Sequence, residues 1–100
     1  INANLYIENK VPPIDLLMKH DCQIVLGTDS YSSNWQLSIA AEIKTIKERL
    51  PEIPLDQILK WATINGATAL GRSNELGSFE KGEVPGSVLL NNNLKSSRLL

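Results

Sequence analysis

The sequence predicts an α/β fold in which helices predominate, and two observations carry this prediction. The run Gln23–Gly27 is continuously apolar at its centre and rich in β-branched residues, which is typical of a strand buried on both faces of a parallel sheet. Segments with helical apolar spacing lie on both sides of it, over Ile14–His20 and over Trp35–Leu50. Helix, strand and helix in this order are the beginning of an α/β arrangement.

Composition describes an ordinary globular segment of 100 residues, 42% hydrophobic and 21% charged, which is enough for one domain at most. Ten Lys and Arg against eleven Asp and Glu give a net charge of -1, so neither nucleic acid nor an acidic membrane is expected as a partner. One histidine and one cysteine cannot build a zinc site of His and Cys ligands or an internal disulfide. The chain lacks a membrane-span or signal-peptide pattern and is expected in the cytoplasm.

The local patterns predict further elements along the chain. Asn4–Ile7 is a short strand or loop, and Ser33 with Gln36 forms a capping box that starts the helix Trp35–Leu50. The next helix covers 55–70 and contains Gly66. Either this helix breaks at Asn65-Gly66, or its Ala62/Gly66/Ala69 face packs closely against another backbone, and the apolar spacing after Gly66 favours the close packing.

The end of the chain has a different composition, in which glycines and a proline separate short segments. Ser87–Leu90 is predicted to be a strand, Asn91–Asn93 are expected to supply the positive φ angles of a turn, and a last strand can form in the tail to Leu100. Because the chain begins at Ile1 rather than at methionine, we expect it to be a piece of a longer protein.

Asp29 is the residue best placed for chemistry, because it follows the predicted buried strand at its carboxyl end, where α/β folds bind ligands. It is a candidate metal ligand or proton carrier, with a simple cap of the Ser32 and Ser33 backbone as the alternative. His20 is expected to end a helix on the opposite face, and Trp35 and Trp61 to be packing residues. Cys22 has no nearby base that would make it a nucleophile.

Four blocks of residues, in this order and spacing, resemble the C-terminal part of the amidohydrolase superfamily, in its branch of adenosine-type, guanine and cytosine deaminases and chlorohydrolases. The resemblance covers about Asn4 to Leu90. The blocks are Pro13-x-x-x-Leu17; Val25-Leu26-Gly27-Thr28-Asp29-Ser30 with Ser33-Asn34 and Leu37; Ala62-Thr63-Ile64-Asn65-Gly66-Ala67-Thr68-Ala69-Leu70-Gly71; and Leu76-Gly77-Ser78-Phe79-Glu80-x-Gly82.

The resemblance implies the last two strands and helices of a metal-dependent (β/α)8 barrel over residues 1–72, and a terminal β segment of a flanking small β domain over 73–100. It implies that Asp29 ligates a divalent metal, zinc or iron, takes a proton from the attacking water and passes it to the leaving group of a small heterocycle. Asn4, Ser30, Ser33 and Asn34 are the candidate substrate-binding residues, the last three in a loop that shapes the pocket or braces the site.

The chain departs from the family pattern in two respects. The histidine ligands of the metal, an H-x-H pair and two more, are expected upstream of Ile1, and His20 matches none of them. The usual Ala-Asp near the end is replaced by Val84-Pro85-Gly86-Ser87. Two functions therefore stay open for the parent protein, which we expect to be a homodimer: a hydrolase of C–N or C–Cl bonds, or a non-catalytic barrel that has lost its histidines.

The isolated chain is predicted to be inactive, to hold no metal, and to self-associate, because its strand edges and apolar surface would lack their neighbours. Sedimentation velocity over a range of protein concentrations should show oligomers. A monodisperse monomer that melts cooperatively at low concentration would contradict this prediction.

Overall fold

A computed structural model describes residues 1–99, which form five helices and one two-stranded sheet. The helices are α1 (Asn2–Glu8), α2 (Ile14–Lys19), α3 (Ile39–Arg49), α4 (Leu55–Ala62) and α5 (Ile64–Ala69), and the strands are β1 (Val88–Leu90) and β2 (Ser96–Arg98). Over residues 1–99, helices predominate as expected, and none is long and apolar enough to cross a membrane. The predicted tail strand is present as β2, while its last residue, Leu100, lies outside the described residues.

The core is a cluster of isoleucines around one tryptophan, supplied by α2, α3, α4 and the turn between the last two. Ile46 and Ile58 are completely buried, and the predicted packing role of Trp61 is confirmed by its exposed fraction of 2%. Trp35 is different, because it is 62% exposed and touches the ring of Tyr6 edge-on, with the ring centroids 5.2 Å apart. The other members of the core cluster are Ile14, Ile43 and Ile53.

The buried strand predicted in the run Gln23–Gly27, centred on Ile24–Leu26, is wrong, because within residues 1–99 this segment does not form a strand. Ile24 and Leu26 are half-buried and pack against the core, whereas Val25 between them is 44% exposed. A strand buried on both faces needs neighbouring strands and a layer on each side, and residues 1–99 provide neither for this segment. The half-buried residues instead lie against the junction of α4 and α5.

This junction is a break at Thr63, where φ is −127° and ψ is −93°. The Thr63 hydroxyl donates to the Leu59 carbonyl at 2.6 Å, a bond that competes with the helical ladder. The break leaves the Trp61 carbonyl available to the Leu26 N–H at 3.1 Å, and the Asn65 amide donates to the Ile24 carbonyl at 2.8 Å. The single helix over 55–70 is therefore corrected to two helices, joined where they hold the Ile24–Leu26 segment.

Gly66 does not have the close packing that its helical position suggested. A Cβ added there would meet no atom within 4 Å, so the favoured interpretation of the Ala62/Gly66/Ala69 face is wrong. The alternative break at Asn65-Gly66 is also misplaced, by two to three residues, because α5 includes both residues. Close approach occurs instead at Gly77, where an added Cβ would lie 2.8 Å from Ala67 Cβ and 2.9 Å from Ile64 Cα.

Helix α3 begins later than the sequence predicts, and the capping box of Ser33 and Gln36 does not form. Ser38 is the N-cap, and its hydroxyl accepts the Ala41 N–H at 3.2 Å. The Ser33 hydroxyl is engaged elsewhere, in the turn that starts at Ser30. The helix ends at Arg49, close to the predicted end before Pro51.

The ends of the chain contain one correction each. Asn4–Ile7 lies in helix α1 and not in a strand or loop. The predicted strand at Ser87–Leu90 is confirmed as β1, which pairs antiparallel with β2 in the register Val88 to Arg98. The positive φ angles expected at Asn91–Asn93 are wrong, because Leu94 has the positive φ, at 58°. The Asn91 side chain instead accepts the N–H groups of Asn93 and Lys95.

The β hairpin packs on the helical core, since Leu90 and Leu94 both contact the isoleucine cluster. This burial offsets the backbone cost of a left-handed leucine, which is about 1–2 kcal/mol. Cys22, at the other edge of the core, is exposed.

Substitution of Gly77 and Gly82 by alanine separates the cost of a positive φ from the cost of a steric overlap. Both glycines have a φ near 100°, but an added Cβ meets no atom within 4 Å at Gly82. We expect Gly82→Ala to lower the free energy of unfolding by about 1–2 kcal/mol, and Gly77→Ala to cost about 1–3 kcal/mol more, because backbone atoms of α5 would have to move. Urea unfolding followed by circular dichroism at one protein concentration measures both, and equal midpoints would contradict the close approach.

Candidate functional site

Asp29 lies on an exposed loop in a backbone conformation that few non-glycine residues adopt. Its φ is 59°, in the left-handed region, where a side chain costs about 1–2 kcal/mol. Among residues 1–99 no donor bonds to its carboxylate, so the alternative that Asp29 caps the Ser32 and Ser33 backbone does not occur. The carboxylate is therefore exposed and available to a metal ion or a proton.

The residues after Asp29 form a turn closed by serine hydroxyls. The Ser33 N–H donates to the Ser30 carbonyl at 3.1 Å, and the Ser30 N–H donates to the Ser33 hydroxyl at 3.2 Å. The Ser30 hydroxyl also lies 2.7 Å from the Ser32 hydroxyl. Two of the predicted site residues, Ser30 and Ser33, are thus held together directly beside Asp29.

Asn34 is buried, at 3% exposure, and joins this loop to the rest of the molecule. Its Nδ2 donates to the Thr28 carbonyl at 2.8 Å and to Glu42 Oε1 at 3.0 Å. Both hydrogens of the amide are engaged, and its Oδ1 accepts the Gln36 N–H at 3.4 Å. Asn34 therefore supports the loop from inside.

Glu42 is a carboxylate with only 1% of its surface exposed. Its Oε2 accepts from the Ile1 and Asn2 backbone nitrogens, each at 2.9 Å, and the Ile1 nitrogen is the terminal ammonium of this chain. Burial of a carboxylate is costly unless it is fully hydrogen-bonded. Three donors from two separate segments satisfy this one, so α1, α3 and the Asp29 loop meet at Glu42.

The remaining predicted site residue, Asn4, lies on α1 and not on the strand that the resemblance implied. Helix α1 is tied to the Asp29 loop through Glu42 at its start and through the contact of Tyr6 with Trp35. Asn4 is thus on an element anchored to the same loop, and no hydrogen bond joins it to the other predicted site residues within 1–99.

The described residues contain no group of three or more His, Cys, Asp or Glu side chains that could hold a metal ion. Asp29 fits a divalent metal as a single ligand, because an exposed carboxylate with no internal partner is a suitable oxygen donor. His20 is the C-cap of α2, at the predicted end of that helix. A site with three or more such ligands would therefore need side chains from outside these residues.

Glu42 is not among the residues predicted from the sequence, although a signal was present. Ile39, Ile43 and Ile46 mark the apolar face of α3, and Glu42 lies on that same face, three residues after the first and four before the last. A lone carboxylate on the apolar face of a helix indicates a buried, hydrogen-bonded group. The identity of its donors could not have been obtained from the pattern.

Comparison with known proteins gives a match to the Amidohydrolase family over residues 1–97. Among curated proteins, the 5-methylthioadenosine/S-adenosylhomocysteine deaminase of Saccharophagus degradans is 35% identical over an alignment of 88 residues that covers 81% of this chain and 20% of that protein. The imidazolonepropionase of Methylobacterium nodulans is 33% identical, over 76% of this chain and 19% of its own length. The 5'-deoxyadenosine deaminase of Methanosphaera stadtmanae is 29% identical, over 93% of this chain and 23% of its own length.

The chain therefore spans about a fifth of the length of the curated relatives that it matches.

Removal of the Asn34 amide should destabilise the chain much more than removal of an exposed asparagine amide. Asn34→Ala leaves the Thr28 carbonyl and Glu42 Oε1 without this donor, and a buried group that loses its partner costs about 1–3 kcal/mol. The control Asn92→Ala, on the exposed hairpin turn, should change the free energy of unfolding by less than about 0.5 kcal/mol. Equal urea midpoints for the two variants would refute the supporting role of Asn34.

Proposed function

This chain belongs to the amidohydrolase family, and from that membership we propose that it is part of a metal-dependent hydrolase that deaminates a small heterocyclic substrate. The observation that carries the proposal is the Asp29 carboxylate, which is exposed, forms no hydrogen bond within residues 1–99 and lies on a hydrogen-bonded loop. A loop aspartate with a purely structural role would be expected to use its carboxylate within the loop. Asp29 does not, which leaves the group for a ligand.

Asp29 would hold the metal, zinc or iron, through a carboxylate oxygen, together with histidines supplied by residues outside this chain. When bound, such a metal supplies a water molecule activated for attack at neutral pH. Asp29 would take a proton from the attacking water and pass it to the leaving amine, which would depart as ammonia.

The neighbouring residues would divide between contact and support. Ser30 and Ser33 place hydroxyls beside Asp29, where they can contact a polar substrate, and Asn4 is the proposed contact from α1. Asn34 is proposed to brace the loop, because both of its amide hydrogens are engaged inside the protein.

The names of the relatives support deamination as the reaction. Two of the three proteins described above are named as deaminases of adenosine derivatives. We therefore propose an adenosine derivative as the substrate and an amine as the leaving group. Cleavage of a C–Cl bond with release of chloride is the second candidate reaction.

The proposed parent protein is a (β/α)8 barrel, of which residues 1–72 form the last part and 73–100 belong to a flanking β domain. Such a barrel needs about 250 residues, so the isolated chain is proposed to be inactive and without metal. In the barrel, Ile24–Leu26 would gain the neighbours that it lacks here and pair as a strand. Its exposed Val25 is consistent with a face that another part of the protein covers.

Asp29→Asn in the full-length protein should lower kcat for deamination of 5-methylthioadenosine by at least about 100-fold, because proton transfer by the carboxylate is lost. The absorbance change of the adenine ring measures the rate, and elemental analysis of the purified protein measures its metal content, which should also fall. The non-catalytic alternative predicts no metal and no turnover in the unmodified protein.

The matched control is Asp21→Asn, since Asp21 is also exposed and also left-handed, with a φ of 53°. It tests whether an Asp-to-Asn substitution at a left-handed position by itself lowers kcat or metal content. If both variants keep full activity, or if both lose it equally, Asp29 does not have the proposed role.

A further inference from the structure

The two peptide groups on either side of Asp29 are both hydrogen-bonded, and this determines how its side chain is presented. The Thr28 carbonyl belongs to the peptide that precedes Asp29, and it accepts the Asn34 amide at 2.8 Å. The Ser30 N–H belongs to the peptide that follows, and it donates to the Ser33 hydroxyl at 3.2 Å. A left-handed residue relaxes unless its neighbours hold it, so these two bonds maintain the backbone of Asp29.

Of these two supports, the Asn34 amide depends on Glu42 for its orientation. An amide side chain can present either its NH2 group or its oxygen to a neighbour. A carboxylate only accepts, so Glu42 Oε1 binds the NH2 side of Asn34, at 3.0 Å. The second hydrogen of the same NH2 group is thereby directed at the Thr28 carbonyl. The charge on Glu42 also strengthens the bond.

The other oxygen of Glu42, Oε2, accepts the Asn2 N–H at the start of α1 at 2.9 Å, and this bond restrains rotation of the carboxylate. The carboxylate is 1% exposed, and no buried side-chain polar atom is left without a partner within residues 1–99. The rigid elements α1 and α3 therefore hold Glu42, Glu42 orients Asn34, and Asn34 holds the peptide before Asp29.

We propose that Glu42 is a positioning residue for Asp29, acting through the Asn34 amide and the Thr28 carbonyl. The inference rests on the proposed function, because it requires that Asp29 is the group that binds metal and moves protons. Glu42 contacts neither metal nor substrate. Its effect is on the orientation of the Asp29 carboxylate, and therefore on metal retention and on kcat.

Glu42→Gln in the full-length metal-loaded protein is the test. Glutamine has nearly the same shape but can donate, so Asn34 loses the acceptor-only partner that selects its orientation. We expect kcat to fall about 10–100-fold and the rate of metal loss to a chelator to rise by a similar factor, as for other residues that orient metal ligands. KM should change by less than about threefold, since substrate contacts remain.

Asn34→Ala and the double variant show whether the effect passes through Asn34. Asn34→Ala should reproduce the losses of Glu42→Gln, and Glu42→Gln should add less than about twofold when Asn34 is already absent. If Glu42→Gln does not fold, Asn34→Ala carries the test with the same two readouts. The proposal would be overturned if the losses of the two single variants multiplied in the double variant. Normal kcat and metal retention in either single variant would also overturn it.

Two control variants separate positioning from stability. Ile43→Val alters the buried residue next to Glu42 and should lower the melting temperature without changing kcat or metal loss. Glu48→Gln removes an exposed carboxylate from the same helix and should change none of these. An Ile43→Val variant that loses metal as fast as Glu42→Gln would show that destabilisation alone explains the effect, and would overturn the proposal.

Asp29→Asn, measured in the same series, distinguishes failure of the positioning role of Glu42 from failure of the proposed function. Loss of metal and activity in Asp29→Asn with an unaffected Glu42→Gln overturns the positioning role and leaves the proposed function in place. Full activity in Asp29→Asn overturns the proposed function and the positioning role together.

Discussion

The buried carboxylate of Glu42 is the interaction on which the arrangement of the candidate site depends. A carboxylate removed from water must find donors for both oxygens, and the donors here come from the start of α1 and from the loop that contains Asp29. Because both segments donate to this one side chain, neither can move away without leaving a buried oxygen of Glu42 without its donor. The apolar core supplies the burial, through Ile43 and Ile46 on the same helix.

The loop uses this support to hold an unfavourable backbone at the position where chemistry is proposed. Asp29 is left-handed, and its neighbouring peptides are held by the Asn34 amide and the Ser33 hydroxyl. The polar side chains around Asp29 thus form hydrogen bonds with its backbone neighbours, while its carboxylate forms none within residues 1–99. A rigid loop with one unsatisfied functional group is the arrangement that ligand binding requires.

The junction of α4 and α5 organises the other side of the molecule in a comparable way. Thr63 interrupts the helical ladder, and the Trp61 carbonyl and the Asn65 amide hold the Ile24–Leu26 segment by its backbone. This arrangement satisfies polar groups that a strand would pair with neighbouring strands. It leaves Val25 partly exposed, on the side where the described chain has no further layer.

The sequence alone predicted the presence of α2, α3 and β1 and the packing role of Trp61, because apolar spacing acts locally, and it made Asp29 the candidate residue. It could not determine where a helix breaks or begins: Thr63 and Ser38 were missed, since side-chain bonds compete there with local propensity. The pairing of Ile24–Leu26 was also decided by tertiary structure, because a strand exists only with a partner. The proposed support of Asp29 by Glu42 also depends on the start of α1, 40 residues away in the chain, and only folding brings that backbone N–H to the carboxylate.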